Sequence, residues 1–103
     1  MKIAYIAHPV SGDVQGNISK IIAIVRQINL SEPDVVPFAP YIADLLALDD
    51  SVEAERERGI KNDVHLLGAG FVTELRLYGG RISKGMQHEK ELAESLGIPV
   101  IQF

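Results

Sequence analysis

The sequence predicts an α/β fold built on a parallel sheet, and three features lead there. Short apolar runs alternate with longer stretches whose apolar residues recur every three or four positions. Glycine and proline punctuate the boundaries. Each predicted strand is separated from the next by enough chain for a helix, so neighbours pair in parallel through right-handed crossovers. The expectation is a small doubly wound sheet, flavodoxin-like or Rossmann-like, of about four strands with helices on both faces. A chain of 103 residues suits one domain, taken as residues 1–103.

Residues 2–7 are apolar and end at His8-Pro9, the pattern of a first strand buried on both faces. Residues 9–17 hold one Pro, two Gly and small polar residues, and read as a loop. Ile18, Ile21, Ile22, Val25 and Ile28 then form one helical stripe, with Asn17 as its N-cap. Ser31 to Asp34 is a turn, and residues 35–40 a second strand in which Pro37 limits pairing. Residues 41–48 suggest a short helix or a lid-like segment. Asp49-Asp50-Ser51 is expected to cap a helix over residues 52–67, which Gly68-Ala69-Gly70 ends. Residues 71–78 alternate as a third strand, and residues 79–83 are a loop. Lys84 to Leu96 is a helix stopped by Gly97, and residues 98–103 are the last strand.

Composition removes several function classes. The absence of cysteine excludes a disulfide scaffold, a thiolate metal site and a cysteine nucleophile. A formal charge of −4 argues against a duplex nucleic-acid binder held by phosphate contacts. No apolar run approaches the roughly 20 residues of a membrane span. The first residues read as a strand and not as a leader, so a cytoplasmic location is expected. His8, His65 and His88 have no metal-binding spacing, and neither a metal nor a cofactor is expected.

Ligands of doubly wound sheets bind at the carboxyl ends of the strands. That rule selects the loop after the first strand, the segment around residues 38–50, and the loop from Gly79 to Ser83. Within reach of these loops, Glu89 is the most informative residue. It falls on the apolar stripe Ile82, Met86, Ala93 and Leu96 of the last helix. A carboxylate facing a core must be hydrogen-bonded, paired or protonated. Either Glu89 is such a group, or it pairs with an arginine or sits at the helix edge. Asp63 lies beside Ile60, Val64 and Leu67 of the preceding helix, where a solvated aspartate is the simpler reading. Tyr5 is a first-strand tyrosine, by default a core residue. Two carboxylates converging near a tyrosine hydroxyl would suit acid–base or glycosyl chemistry. Ser83 and Gly85 open the last helix, where a serine hydroxyl and backbone N–H groups suit an anion; Ser83 can equally be a plain N-cap. His8, at the end of the first strand, could touch a ligand. The Glu and Arg run at 53–58 reads as a solvated helix face.

Gly59-Ile60-Lys61-Asn62-Asp63, followed by Ser83-Lys84-Gly85-Met86-Gln87-His88-Glu89, resembles the nucleoside 2-deoxyribosyltransferase superfamily, and most of all its short DUF4406-like members. The likeness spans most of the chain, from Tyr5 and the loop with Asn17 to the Gly-Met-x-x-Glu helix. It implies that Glu89 is the nucleophile at the deoxyribose anomeric carbon and that Tyr5 positions it. It also implies that Asp63 assists proton transfer at the nucleobase. Ser83, six residues before Glu89, matches the serine that binds phosphate in the related 2′-deoxynucleoside 5′-monophosphate N-glycosidases. Ser83, Gly85, Met86, His8 and Asn17 are thereby expected against the substrate. The family implies a flavodoxin-like or Rossmann-like fold and a site completed by a neighbouring subunit, hence a homodimer or a larger homo-oligomer.

Three functions follow as expectations. The first is an N-glycosidase or deoxyribosyltransferase-like enzyme acting on 2′-deoxynucleosides or their 5′-monophosphates. The second is a nucleotide-binding module without turnover, for sensing or sequestration. The third is a plain structural α/β domain in which Arg56, Arg76 or Arg81 neutralises Glu89.

Overall fold

The computed structural model describes all 103 residues, Met1–Phe103. The elements in order are β1 (Lys2–Ala7), α1 (Val14–Ser31), β2 (Val35–Phe38), α2 (Tyr41–Ala47), α3 (Glu53–Leu67), β3 (Glu74–Leu77), α4 (Lys84–Ser95) and β4 (Val100–Gln102). The four strands form one sheet in the order β2-β1-β3-β4, and every pair is parallel. The chain steps out from β1 to β2, returns past β1 to β3, and continues to β4. This is the doubly wound α/β arrangement, with its switch point between β1 and β3.

Alternation along β1 and β3 divides the core between two faces. Tyr5, Ala7, Leu75 and Leu77 are buried with Tyr41 of α2, Leu67 of α3 and Met86 and Ala93 of α4. Ala4 and Ile6 point the other way, against Ile24 and Ile28 of α1. Helices therefore cover both faces, with α1 on one and α2, α3 and α4 on the other. The register Tyr5↔Phe38 and Tyr5↔Leu75 sets Tyr5 between both neighbouring strands. Pro37 is tolerated because β2 is an edge strand.

On the α1 face, β3 carries Glu74 and Arg76, each 4% exposed. The Arg76 guanidinium donates to both Glu32 carboxylate oxygens at 2.9 Å and to Glu74 at 2.7 Å. It lies 4.7 Å from the centre of the Phe103 ring. The carboxylates hold the guanidinium strongly protonated, with Glu32 the main cause, and Arg76 in turn keeps Glu32 below its ordinary range.

Several boundaries differ from the sequence expectation. Helix α1 starts before Asn17: Asp13 is the N-cap, its carboxylate accepting from the Gly16 N–H at 3.1 Å. Asn17 sits in the first turn and donates from Nδ2 to the Val10 carbonyl. Asp49-Asp50-Ser51 does not cap α3. Asp49 accepts from Ser51 in a local turn, Glu55 reaches back to the Asp49 N–H, and Val52 occupies the N-cap without a side-chain bond. Residues 41–48 resolve into α2 rather than a lid. Strand β3 covers Glu74–Leu77 of the expected 71–78, and Phe71 is exposed. Gly97 does end α4: at φ +73° it allows Gly97 and Ile98 to donate back to Glu94 and Ala93.

Candidate functional site

Three side chains, Tyr5, Glu89 and Asp63, converge where β1 passes beneath α3 and α4. Tyr5 comes from β1. Its ring lies 5.9 Å from that of Phe38, edge-on, and 6.1 Å from that of Tyr41. Glu89 comes from α4. It lies one turn after Met86 and one before Ala93, both buried on the sheet side, so the same stripe turns Glu89 inward.

Asp63 comes from α3, and its placement corrects the expectation of a solvated aspartate. The expected apolar edge is largely outside: Ile60 is 54% and Val64 45% exposed. The stripe that faces inward runs Gly59, Asp63 and Leu67. Gly59 on this stripe faces α2 and its C-cap: a Cβ there would stand 3.7 Å from Asp44 Cβ and 3.9 Å from Leu48 Cδ1, ordinary packing distances. The Asp63 carboxyl is half-buried and its Oδ1 is fully buried without a hydrogen bond.

The Tyr5 hydroxyl is also buried and completes no hydrogen bond at regular geometry. It nevertheless lies close enough to the Glu89 carboxyl for the two to act on each other as donor and acceptor. Burial pushes Glu89 up to about 7, against the Tyr5 hydroxyl, which pulls it down. Burial, then the charges of Glu89 and Asp44, push Asp63 up to about 7. The Tyr5 phenol is raised far out of its ordinary range, first by burial and then by Glu89 and Asp63. With both carboxyls raised to about 7, the pair carries about one proton between them near neutral pH. One then serves as carboxylate and the other as acid.

No cation answers these charges. The ion pairs are Lys2–Glu74, Arg76–Glu74 and Arg76–Glu32, on the α1 face of the sheet. Arg56 and Arg81 are exposed, and neither pairs with Glu89. The expected neutralisation of Glu89 by Arg56, Arg76 or Arg81 is thus absent. No group of three or more His, Asp or Glu is arranged to hold a metal ion. No helix is long and apolar enough to cross a membrane.

Around the cluster, Ser83 is the N-cap of α4: its Oγ accepts from the Met86 N–H at 3.2 Å, which leaves its hydroxyl proton free. Gly85 faces open space. Met86 is 1% exposed and belongs to the core, with its sulfur against the Ser83 N–H. The structure therefore places Met86 under the helix start and not on an open surface. His8 is buried, its Nδ1 2.7 Å from the Pro9 carbonyl oxygen. Asn17 commits its amide N–H to the loop carbonyl of Val10.

Two residues of the site escaped the sequence reading. Tyr41 donates its hydroxyl to the Ile6 carbonyl. Ile3 and Ala7 accept from the β3 side, so Ile6 faces β2. There the ladder has ended at Phe38, and the chain runs into Pro40, which has no N–H. Tyr41 completes that ladder and anchors α2. Asp44, one turn further on, accepts from the Asn62 amide at 3.3 Å and stands near Asp63. Neither residue follows a periodic signal, which is why spacing did not reveal them.

A hollow of about 620 Å³ opens between the start of α1, the end of α2 and the start of α3, lined by Val14, Gln15, Leu45, Leu48, Asp49 and Glu55 among others. A second, of about 310 Å³, lies near Leu67, Val72 and Ile98. Neither is lined by Tyr5, Asp63 or Glu89. Comparison with curated proteins and with solved structures gave no match. A family model matches residues 2–103, and the chain belongs to that family, described as a domain of unknown function, DUF7768.

Proposed function

We propose that this chain is an N-glycosidase or deoxyribosyltransferase-like enzyme that acts on 2′-deoxynucleosides or their 5′-monophosphates through Glu89. One observation carries the reading: a half-buried glutamate without a cation stands beside the buried Tyr5 hydroxyl and a second half-buried carboxyl, both carboxyls raised to about 7. In the first step a Glu89 carboxylate oxygen bonds to the anomeric carbon. The C–N bond breaks, its electron pair goes to the base nitrogen, and protonated Asp63 supplies the proton. In the second step water attacks the same carbon and gives a proton to Asp63, and the glycosyl ester opens to restore Glu89. A second base in place of water makes the reaction a transfer. Tyr5 orients the Glu89 oxygens. The free Ser83 hydroxyl and the open start of α4 at Gly85 offer a place for a 5′-phosphate.

The resemblance in residues 59–63 and 83–89 supports the same chemistry. The reading includes a cytoplasmic homodimer, with the exposed Ile60, Val64 and Phe71 as the surface a second copy would cover. Sedimentation of Val64→Glu against the unaltered protein tests that part.

A second reading, a nucleotide-binding module without turnover, is favoured by the larger hollow being lined by the starts of α1 and α3 and the end of α2 and by none of Tyr5, Asp63 and Glu89. One experiment separates the two. The protein is incubated with a panel of deoxynucleosides and deoxynucleoside 5′-monophosphates, and free base is followed chromatographically. Release abolished by Glu89→Gln supports the enzyme. Binding by calorimetry with no release supports the module, and neither binding nor release refutes both.

A further inference from the structure

Given the glycosyl chemistry proposed above, we infer that Asp44 is a positioning residue of the site: held near Asp63 through Asn62, its carboxylate favours a proton on Asp63, as donor to the base in the first step and as acceptor from water in the second. Three observations support the placement. Tyr41 anchors α2 to β1 through the Ile6 carbonyl, so the segment that carries Asp44 is tied to the same strand as Tyr5. Asn62 donates to Asp44 Oδ2, which fixes the carboxylate with a neutral amide and leaves its charge uncompensated. Gly59, one turn before Asp63 on the same stripe, packs beside the Asp44 side chain: a Cβ there would stand 3.7 Å from Asp44 Cβ, an ordinary packing distance.

The groups facing Asp63 are then Glu89 from α4, Asp44 and Tyr41 from α2, and Tyr5 from β1. None is cationic. Glu89 must be ionised to attack, and its charge favours the proton on Asp63. Once Glu89 is esterified to the sugar that charge is gone, and Asp44 is the carboxylate that remains. Asp44 therefore matters most in the second step, where Asp63 must take a proton from water. It raises the proton affinity of Asp63 at the moment when Glu89 no longer can.

The test is Asp44→Asn, which keeps the shape and the reach to Asn62 while removing the charge. Carboxyl ¹³C NMR on the protein labelled at aspartate reads the Asp63 titration directly, with Asp63→Asn to assign the signal. The expected result is an Asp63 midpoint moved to lower pH in Asp44→Asn, with an unchanged urea midpoint at pH 5. An unmoved Asp63 midpoint in a folded variant overturns the inference. Where base release is measurable, the alkaline limb of its pH profile moves down with the NMR midpoint, and kcat falls more than KM changes. A shifted midpoint in a protein that releases no base refutes the glycosidase reading and leaves the electrostatic role of Asp44 intact, so the two failures are distinguishable. Asp44→Glu, which restores the charge, should return the midpoint towards its original place.

Discussion

Glu89→Gln tests the electrostatics of the cluster without any substrate. Glu89 ionises at an ordinary 4.5 in the unfolded chain and at about 7 in the folded one. Between those values the folded protein keeps a proton that the unfolded chain releases, so stability falls as pH rises through this window. Below 4.5 both states are protonated and the group contributes nothing; above 7 both are ionised and the cost is complete. Each tenfold change in proton affinity is worth about 1.4 kcal/mol. The full cost above pH 7 is therefore at most about 3.5 kcal/mol, or about 15 °C in melting temperature for a domain of this size. Glutamine fills the same space, carries no charge at any pH, and its amide oxygen can still accept from Tyr5. The variant should accordingly be more stable than the unaltered protein at pH 8 and nearly equal to it at pH 4.5. Urea unfolding followed by circular dichroism at both pH values measures this, provided the slope against urea is the same for both proteins. A variant equally destabilised at both pH values would refute the reasoning, because it would show that Glu89 contributes packing or a hydrogen bond and no buried charge.

Tyr5→Phe removes a buried hydroxyl that completes no regular hydrogen bond, so its stability should change by less than about 1 kcal/mol. The Glu89 midpoint should rise in the same variant, because the donor that pulls it down is gone; carboxyl NMR on glutamate reads the change. Arg76→Met leaves Glu74 buried with only the more distant Lys2, and should cost about 3 kcal/mol in urea unfolding. Adding Glu74→Gln should recover a large part of that loss. At Gly79 the backbone has φ +96°, and a Cβ would stand 2.6 Å from Pro9 Cδ. Gly79→Ala should therefore lower stability by about 1–3 kcal/mol, and Pro9→Ala in the same chain should restore part of it.

The order and type of the main elements were legible because each had its own periodicity or punctuation. The apolar run Lys2–Ala7 ended at a proline, and Gly97 stopped α4 through its left-handed backbone. Helix rotation was much less legible. In α3 the apolar residues Ile60 and Val64 suggested the buried edge, yet both are exposed and the stripe Gly59, Asp63 and Leu67 faces inward. In α1 the N-cap moved from Asn17 to Asp13, since either short polar residue satisfies the local rule and only the loop geometry decides. Glu89 was readable from the Met86–Ala93 stripe. Tyr41 was not, because its bond to Ile6 depends on where β2 stops and on the missing N–H of Pro40, and Asp44 was not, because its contact with Asn62 is set by how α2 packs on α3 and not by sequence spacing.

Only α1 packs on its side of the sheet, over β1 and β2, and the outer half there is screened by side chains instead. Phe103, stacked on Tyr78 at 4.8 Å and over Arg76, takes the place of a helix above β3 and β4. The sheet is thus graded in firmness: β1 is held from both flanks and both faces, while β4 hangs from a single neighbour beneath an aromatic clasp. Loosening that begins at the rim can spend itself there, leaving the strand that bears Tyr5 undisturbed.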